Sequence, residues 1–118
     1  MKTDVVGRSE RSPGKHAALD AFVGKCAGVM TRRFPRQRMI MIDCTAGDGA
    51  AGSSPWIFRR HARWLDEHGV HADVHLWERA DEAAARLAQA GYVLDGRDCL
   101  TMPRCWDRDD VVFLSNDP

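Results

Sequence analysis

One stretch constrains the fold more than any other part of the chain. Met39-Ile-Met-Ile42 is apolar at every position and ends in Asp43. The small-residue loop Thr45-Ala-Gly47-Asp-Gly49-Ala-Ala-Gly52 follows, and Ser54-Pro55 then begins a helical pattern that runs through His68 and stops at Gly69. A strand apolar on both faces is covered on both sides, as in parallel sheets. Ser54 as a cap with Pro55 at the first helical position is a helix start. Parallel strands need crossover connections, so this unit points to an α/β protein with right-handed crossovers.

The flanking segments extend the alternation. From Gly14 to about Phe34, the residues Leu19, Phe22, Val23, Cys26, Val29 and Met30 recur at steps of three and four, the spacing of an amphipathic helix facing a core. Pro35 stops it. Val74–Trp77 is expected to form a second strand ending in Glu78, and Asp81 opens a helix that Gly91 closes. Tyr92–Leu94 is expected as a short third strand and Val111–Leu114 as a fourth. Residues 1–13 read as a flexible terminus and residues 14–118 as one domain, a three-layer α/β sandwich. The 118 residues are too few for two cores.

Composition narrows the setting. No apolar run approaches the roughly 18 residues that cross a bilayer, and the first residues lack the apolar core of a secretory signal. Cys26, Cys44, Cys99 and Cys105 form no CxxC pair and read as reduced, buried or half-buried thiols. A cytoplasmic protein without membrane contact is the expectation. The net charge of zero conceals a division: residues 1–64 hold twelve Lys and Arg against five acids, and the remainder holds five Arg against twelve acids. A basic half can face an anionic partner such as DNA or RNA, although arginine-rich helices are also commonly just solvated.

The chemistry concentrates at the carboxyl ends of the expected strands. Gly47-Asp-Gly49-Ala-Ala-Gly52 is a complete GxGxxG placed between a buried strand and a helix, where glycines let the backbone turn and approach a ligand. Glu78, at the end of the next strand, can accept hydrogen bonds from both hydroxyls of an adenosine ribose. It lies 26 residues past Gly52, whereas dinucleotide enzymes place that acid about 20 residues on. Asp43 beside the loop would repel a pyrophosphate and suits a cationic ligand. S-adenosyl-L-methionine, with its sulfonium and ammonium groups, fits better than NAD. His68, His71, His75 and Glu78 straddle a helix end, a turn and a strand, so no single face offers them to a metal. Trp56, Trp64, Trp77 and Trp106 read as core or sheet-covering aromatics.

These residues resemble a known superfamily. Asp43-Cys-Thr45-Ala46-Gly47-Asp-Gly49 is similar to motif I of the class I S-adenosylmethionine-dependent methyltransferases, in the form common among nucleic-acid methyltransferases. The Gly14-Lys-His-Ala-Ala-Leu helix and Gly52-Ser-Ser-Pro55 also resemble three-Cys-motif partner proteins. The resemblance implies a Rossmann-like fold, here with only the first four strands, in the order 3-2-1-4. It implies that Asp43, Thr45, Ala46, Gly47, Gly49, Glu78, Arg79 and Asp98 bind the cofactor, Asp98 meeting the adenine amino group. Asn116-Asp117-Pro118 stands where the superfamily carries its catalytic motif IV, either with Asn116 first and Pro118 third or as an Asp117-Pro118 pair. The implied reaction is methyl transfer to an amino group of a nucleic acid. A non-catalytic binding or scaffold module of the same fold and an NAD-dependent oxidoreductase are the alternatives.

The apolar fourth strand raises a further expectation. Val111–Leu114 would form a bare hydrophobic edge, an aggregation site unless covered. A fragment of a longer protein is the favoured explanation. A split protein with a second chain, or a homodimer pairing at that strand, are the others.

Overall fold

A computed structural model describes residues 12–115; the expected flexible terminus lies almost wholly outside the described residues. The elements are α1 (Ser12–Arg33), β1 (Met39–Asp43), α2 (Ser54–Glu67), β2 (Ala72–Leu76), α3 (Asp81–Gln89), a 3-10 turn (Cys99–Thr101) and β3 (Val111–Ser115). The strands form one parallel sheet in the order β2-β1-β3. β1 is central and buried at all five positions, which is why its apolar run needs no alternation. The described residues form a small α/β domain with three parallel strands and three α-helices, and none of these helices is long and apolar enough to cross a membrane.

The parallel register divides the side chains between two faces. Met39, Met41, Val74, Val111 and Phe113 share one face, and pack with Val23, Ala27 and Met30 of α1 and Ile57, Phe58 and Leu65 of α2. Leu76, on the same face, packs with Leu87 of α3 and with Tyr92. All three helices therefore cover one face. Ile40 and Ile42, on the other, are covered by Cys99, Met102, Cys105 and Trp106. The expected three-layer sandwich is thus a helical layer, a sheet and an irregular strap over residues 99–106. That strap leaves Val112 and Leu114 open, with Leu114 56% exposed.

Three other expectations change. Tyr92–Leu94 is no strand: only Gly96 pairs with β2's end, through an isolated parallel bridge to Trp77. The Asp95 carboxylate accepts from Leu76 N at 2.7 Å, while Asp95 N donates to Leu76 O at 2.9 Å. One side chain thereby takes the place of a ladder carbonyl, and Tyr92 is freed to turn into the core. Four strands in the order 3-2-1-4 are accordingly not formed among the described residues. Phe22 and Val29 are exposed rather than core residues. They lie off the Val23–Ala27–Met30 stripe, and Phe22 instead rests beside Phe113 with ring centroids 5.5 Å apart. Trp64 is likewise exposed, whereas Trp77 is buried and Trp56 and Trp106 are half-buried.

At the amino ends of the strands, Arg38 joins the basic and acidic halves of the chain. It donates to Asp73 at 3.0 Å and to Asp110 at 2.6 Å. The Arg38 hydrogen bond, helped by Asp107 N, lowers the Asp110 pKa from its ordinary 3.8. A lowered carboxylate contributes stability above its unfolded pKa, and that contribution disappears as the pH falls through the folded value. Acid titration followed by circular dichroism is expected to show wild type losing stability below pH 3.8. Asp110→Asn should start less stable at neutral pH and lose less on acidification.

Candidate functional site

β1 and β2 both end at the glycine loop, and each delivers a carboxylate to it. Asp43, the last residue of β1, has no exposed surface. Its Oδ1 accepts from Thr45 N at 3.2 Å, and its Oδ2 accepts from the hydroxyl of Ser54 on α2. Ser54 therefore clasps the strand end instead of capping the helix. The cap position falls one residue earlier, on Ser53, whose side chain makes no capping bond. Ser53 Oγ is buried and is one of two buried side-chain polar atoms without a partner among the described residues.

Glu78 closes the loop from the neighbouring strand. It is 8% exposed, its Oε1 accepts from Gly47 N at 2.7 Å, and its Oε2 accepts from Ala80 N at 2.8 Å. A carboxylate has about four acceptor sites, so two backbone donors leave acceptor capacity toward a ligand hydroxyl. Ala46 N donates to Trp77 O at 3.0 Å, and Trp77 N donates to Asp43 O at 2.9 Å. The structure thus brings Asp43, Thr45, Ala46, Gly47 and Glu78 into one hydrogen-bonded unit at the carboxyl edge of the sheet.

The glycines have different tasks. Gly47, Gly49 and Gly52 all adopt positive φ, between 75° and 85°. A Cβ on Gly49 would stand 2.6 Å from the Tyr92 ring and 2.8 Å from Leu87. Gly49 thus serves the packing of the loop on α3, with Tyr92 OH donating to Gly49 O at 3.2 Å. A Cβ on Gly52 would meet nothing within 4 Å, so the loop faces open space just before α2. Open space at Gly52 and spare acceptor capacity on Glu78 leave this edge able to meet a ligand that carries hydroxyl donors. Asp43, by contrast, can act on such a ligand only through its field, because its surface is covered.

Arg79 and Asp98 are held near this unit by a residue the sequence pattern did not mark. Arg97 Nε donates to Glu78 O at 2.7 Å, and its guanidinium also reaches Arg79 O and the Asp81 carboxylate. Arg79 and Asp98 are exposed. The Asp98 side chain accepts from Leu100 N at 3.0 Å and caps the 3-10 turn. Asn116, Asp117 and Pro118 lie outside the described residues. Burial, with Cys99 beside it, pushes the Cys44 thiol up to about 11, so Cys44 is a packing residue rather than a nucleophile. His68 Nδ1 faces Trp64 O, His71 pairs with Asp73 and His75 with Asp95: three separate partners.

Compared with known proteins, the chain matches no family model, no curated protein and no solved structure. The loop's geometry is directly testable. Gly49→Ala adds a methyl group at positive φ against an aromatic ring, and is expected to destabilise the fold by about 2 kcal/mol or more in urea unfolding. Gly52→Ala, strained in φ but meeting open space, should cost less.

Proposed function

We propose that the chain forms the cofactor-binding part of an S-adenosyl-L-methionine-dependent methyltransferase that acts on an amino group of a nucleic acid. The observation that carries this reading is the 2.7 Å bond from Gly47 N to Glu78 Oε1. It places a GxGxxG loop and the acid of the adjacent strand at one point on the carboxyl edge of a parallel sheet, where open α/β sheets bind their ligands. The β2-β1-β3 order, with Gly96 bridging outside β2, supports the finer expectation of a 3-2-1-4 arrangement whose third strand is reduced to a single bridge.

In this reading Glu78 accepts the ribose hydroxyls with its remaining lone pairs. The exposed Arg79 and Asp98 flank the adenine, and Arg97 positions the segments that carry them. The open face at Gly52 receives the amino-acid portion, while Asp43 supplies negative potential to its cationic groups from beneath the loop. The cofactor, when bound, supplies an electrophilic methyl group on sulfur. In the sequence, Asn116-Asp117-Pro118 directly follows β3, and a side-chain oxygen there would accept the protons of the attacking amino group. Holding nucleophile and methyl in line is the main source of rate in such a transfer.

Calorimetric titration with S-adenosylhomocysteine and, in parallel, NAD tests the reading. The homocysteine nucleoside is expected to bind and NAD not to bind. Removing the ribose acceptor in Glu78→Ala should weaken binding at least tenfold in a chain whose far-ultraviolet circular dichroism is unchanged. Absence of binding by folded wild-type chain would refute the cofactor assignment.

A further inference from the structure

Away from the glycine loop, α1 and α2 enclose a feature that the cofactor reading does not use. The Asp20 carboxylate pairs with Arg60 and lies 2.6 Å from His61 Nε2, pinning the two helices together. Beside this contact a cleft of about 260 Å³ is lined by Gly24, Ala27, Arg60, His61 and Trp64. Trp64 is 37% exposed and stacks on His68, with ring centroids 4.0 Å apart and an interplanar angle of 22°.

Cations frame the cleft. Lys25 and Arg32 are seven residues apart, close to two helical turns, and so rise from the same side of α1. The Arg32 guanidinium lies over Gly28, one turn beyond the cleft-lining Gly24. On α2, Arg63 follows Arg60 by three residues and adjoins Trp64. Asp20 is engaged by Arg60 and His61, while among the described residues no carboxylate pairs with Lys25, Arg32 or Arg63. Asp66 and Glu67 follow Arg63 by three and four residues in the last turn of α2, and neither forms an ion pair with it among the described residues.

We infer that the α1–α2 cleft is a binding surface for single-stranded nucleic acid, with phosphates on Lys25, Arg32 and Arg63 and a base against Trp64. Exposed cations interleaved with a flat aromatic face are the two elements such surfaces combine. An acidic peptide would use the cations and leave the indole without purpose. Trp64 sits ten residues into α2, about 15 Å along the helix from the glycine loop. The surface is therefore a docking site separate from the cofactor loop, and it needs no cofactor to act.

The test is fluorescence anisotropy of a fluorescein-labelled twelve-residue oligothymidylate with the chain alone, across a salt series. Affinity is expected to fall with salt at about 0.7 logarithmic units per neutralised phosphate. The combined variant Lys25→Ala, Arg32→Ala, Arg63→Ala should flatten that slope by about 2. Trp64→Ala should weaken binding about tenfold with the slope unchanged, while Trp64→Phe keeps most of the affinity. Melting curves establish that each variant is folded. No binding at low salt, a slope unmoved by the combined variant, or stronger binding of a duplex of equal length would each overturn the inference. So would displacement by polyglutamate as effective as by unlabelled oligonucleotide with Trp64→Ala neutral. Because no cofactor is present, failure here leaves the S-adenosylhomocysteine titration to decide the methyltransferase reading by itself.

Discussion

The Asp43 carboxylate, wholly enclosed at the end of the central strand, organises this protein. A buried charge is costly unless its oxygens are hydrogen-bonded, and here Thr45 N and the Ser54 hydroxyl supply those bonds. In doing so they tie the end of β1 to the first turn of α2. The eight residues between Thr45 and Ser54 must then double back within a short span. Glycines at 47, 49 and 52 make that path accessible through their positive φ. Glu78 repeats the device from β2, accepting from Gly47 N and Ala80 N. Two carboxylates from adjacent strands hold one loop, and the candidate site is the surface that loop presents.

The sheet built around β1 is covered unequally. Helices shield one face continuously, because Met39, Met41, Val74, Leu76, Val111 and Phe113 all point toward α1, α2 or α3. A strap of residues 99–106 shields only the middle of the other. Trp77 Nε1 beneath it has no partner among the described residues. A buried donor left without an acceptor costs about 1–3 kcal/mol, which makes this strap the weaker of the two coverings. Among the described residues β3 pairs only with β1, and it carries Val112 and Leu114 into the open.

Charge follows the same division. Among the described residues, Lys15, Lys25, Arg32 and Arg33 stand on α1 and Arg59, Arg60 and Arg63 on α2, while most carboxylates of the acidic second half lie around β2, α3 and the strap. Arg38 stitches the halves together through Asp73 and Asp110. Arg59 caps the Tyr92 ring at 3.9 Å, and Arg86 approaches Asp48 at 3.7 Å. Lys25 and Arg32 on α1 and Arg63 on α2 have no carboxylate partner among the described residues.

Much of this was legible in the chain itself. The unbroken apolar run at Met39–Ile42, the glycines after it and the Ser-Pro helix start specify a buried strand, a turn and a helix by local rules alone, and the structure has all three there. The position of Asp43 at the end of β1 was equally readable, since strand limits follow from where apolar residues stop; β2 spans Ala72–Leu76 rather than Val74–Trp77, so Glu78 follows its end by two residues. What those carboxylates hold was decided by the tertiary structure. Whether Ser53 or Ser54 caps α2 depends on Asp43 arriving eleven residues earlier in sequence. Tyr92–Leu94 has strand-like residues, yet Asp95 takes the ladder bond and the Tyr92 ring goes to Gly49. Arg97 carries no local signal, because its importance comes from two carbonyls and a carboxylate that the fold gathers around it. Local sequence sets the elements through backbone preference and periodicity; side-chain partners distant in sequence are chosen only when the elements pack.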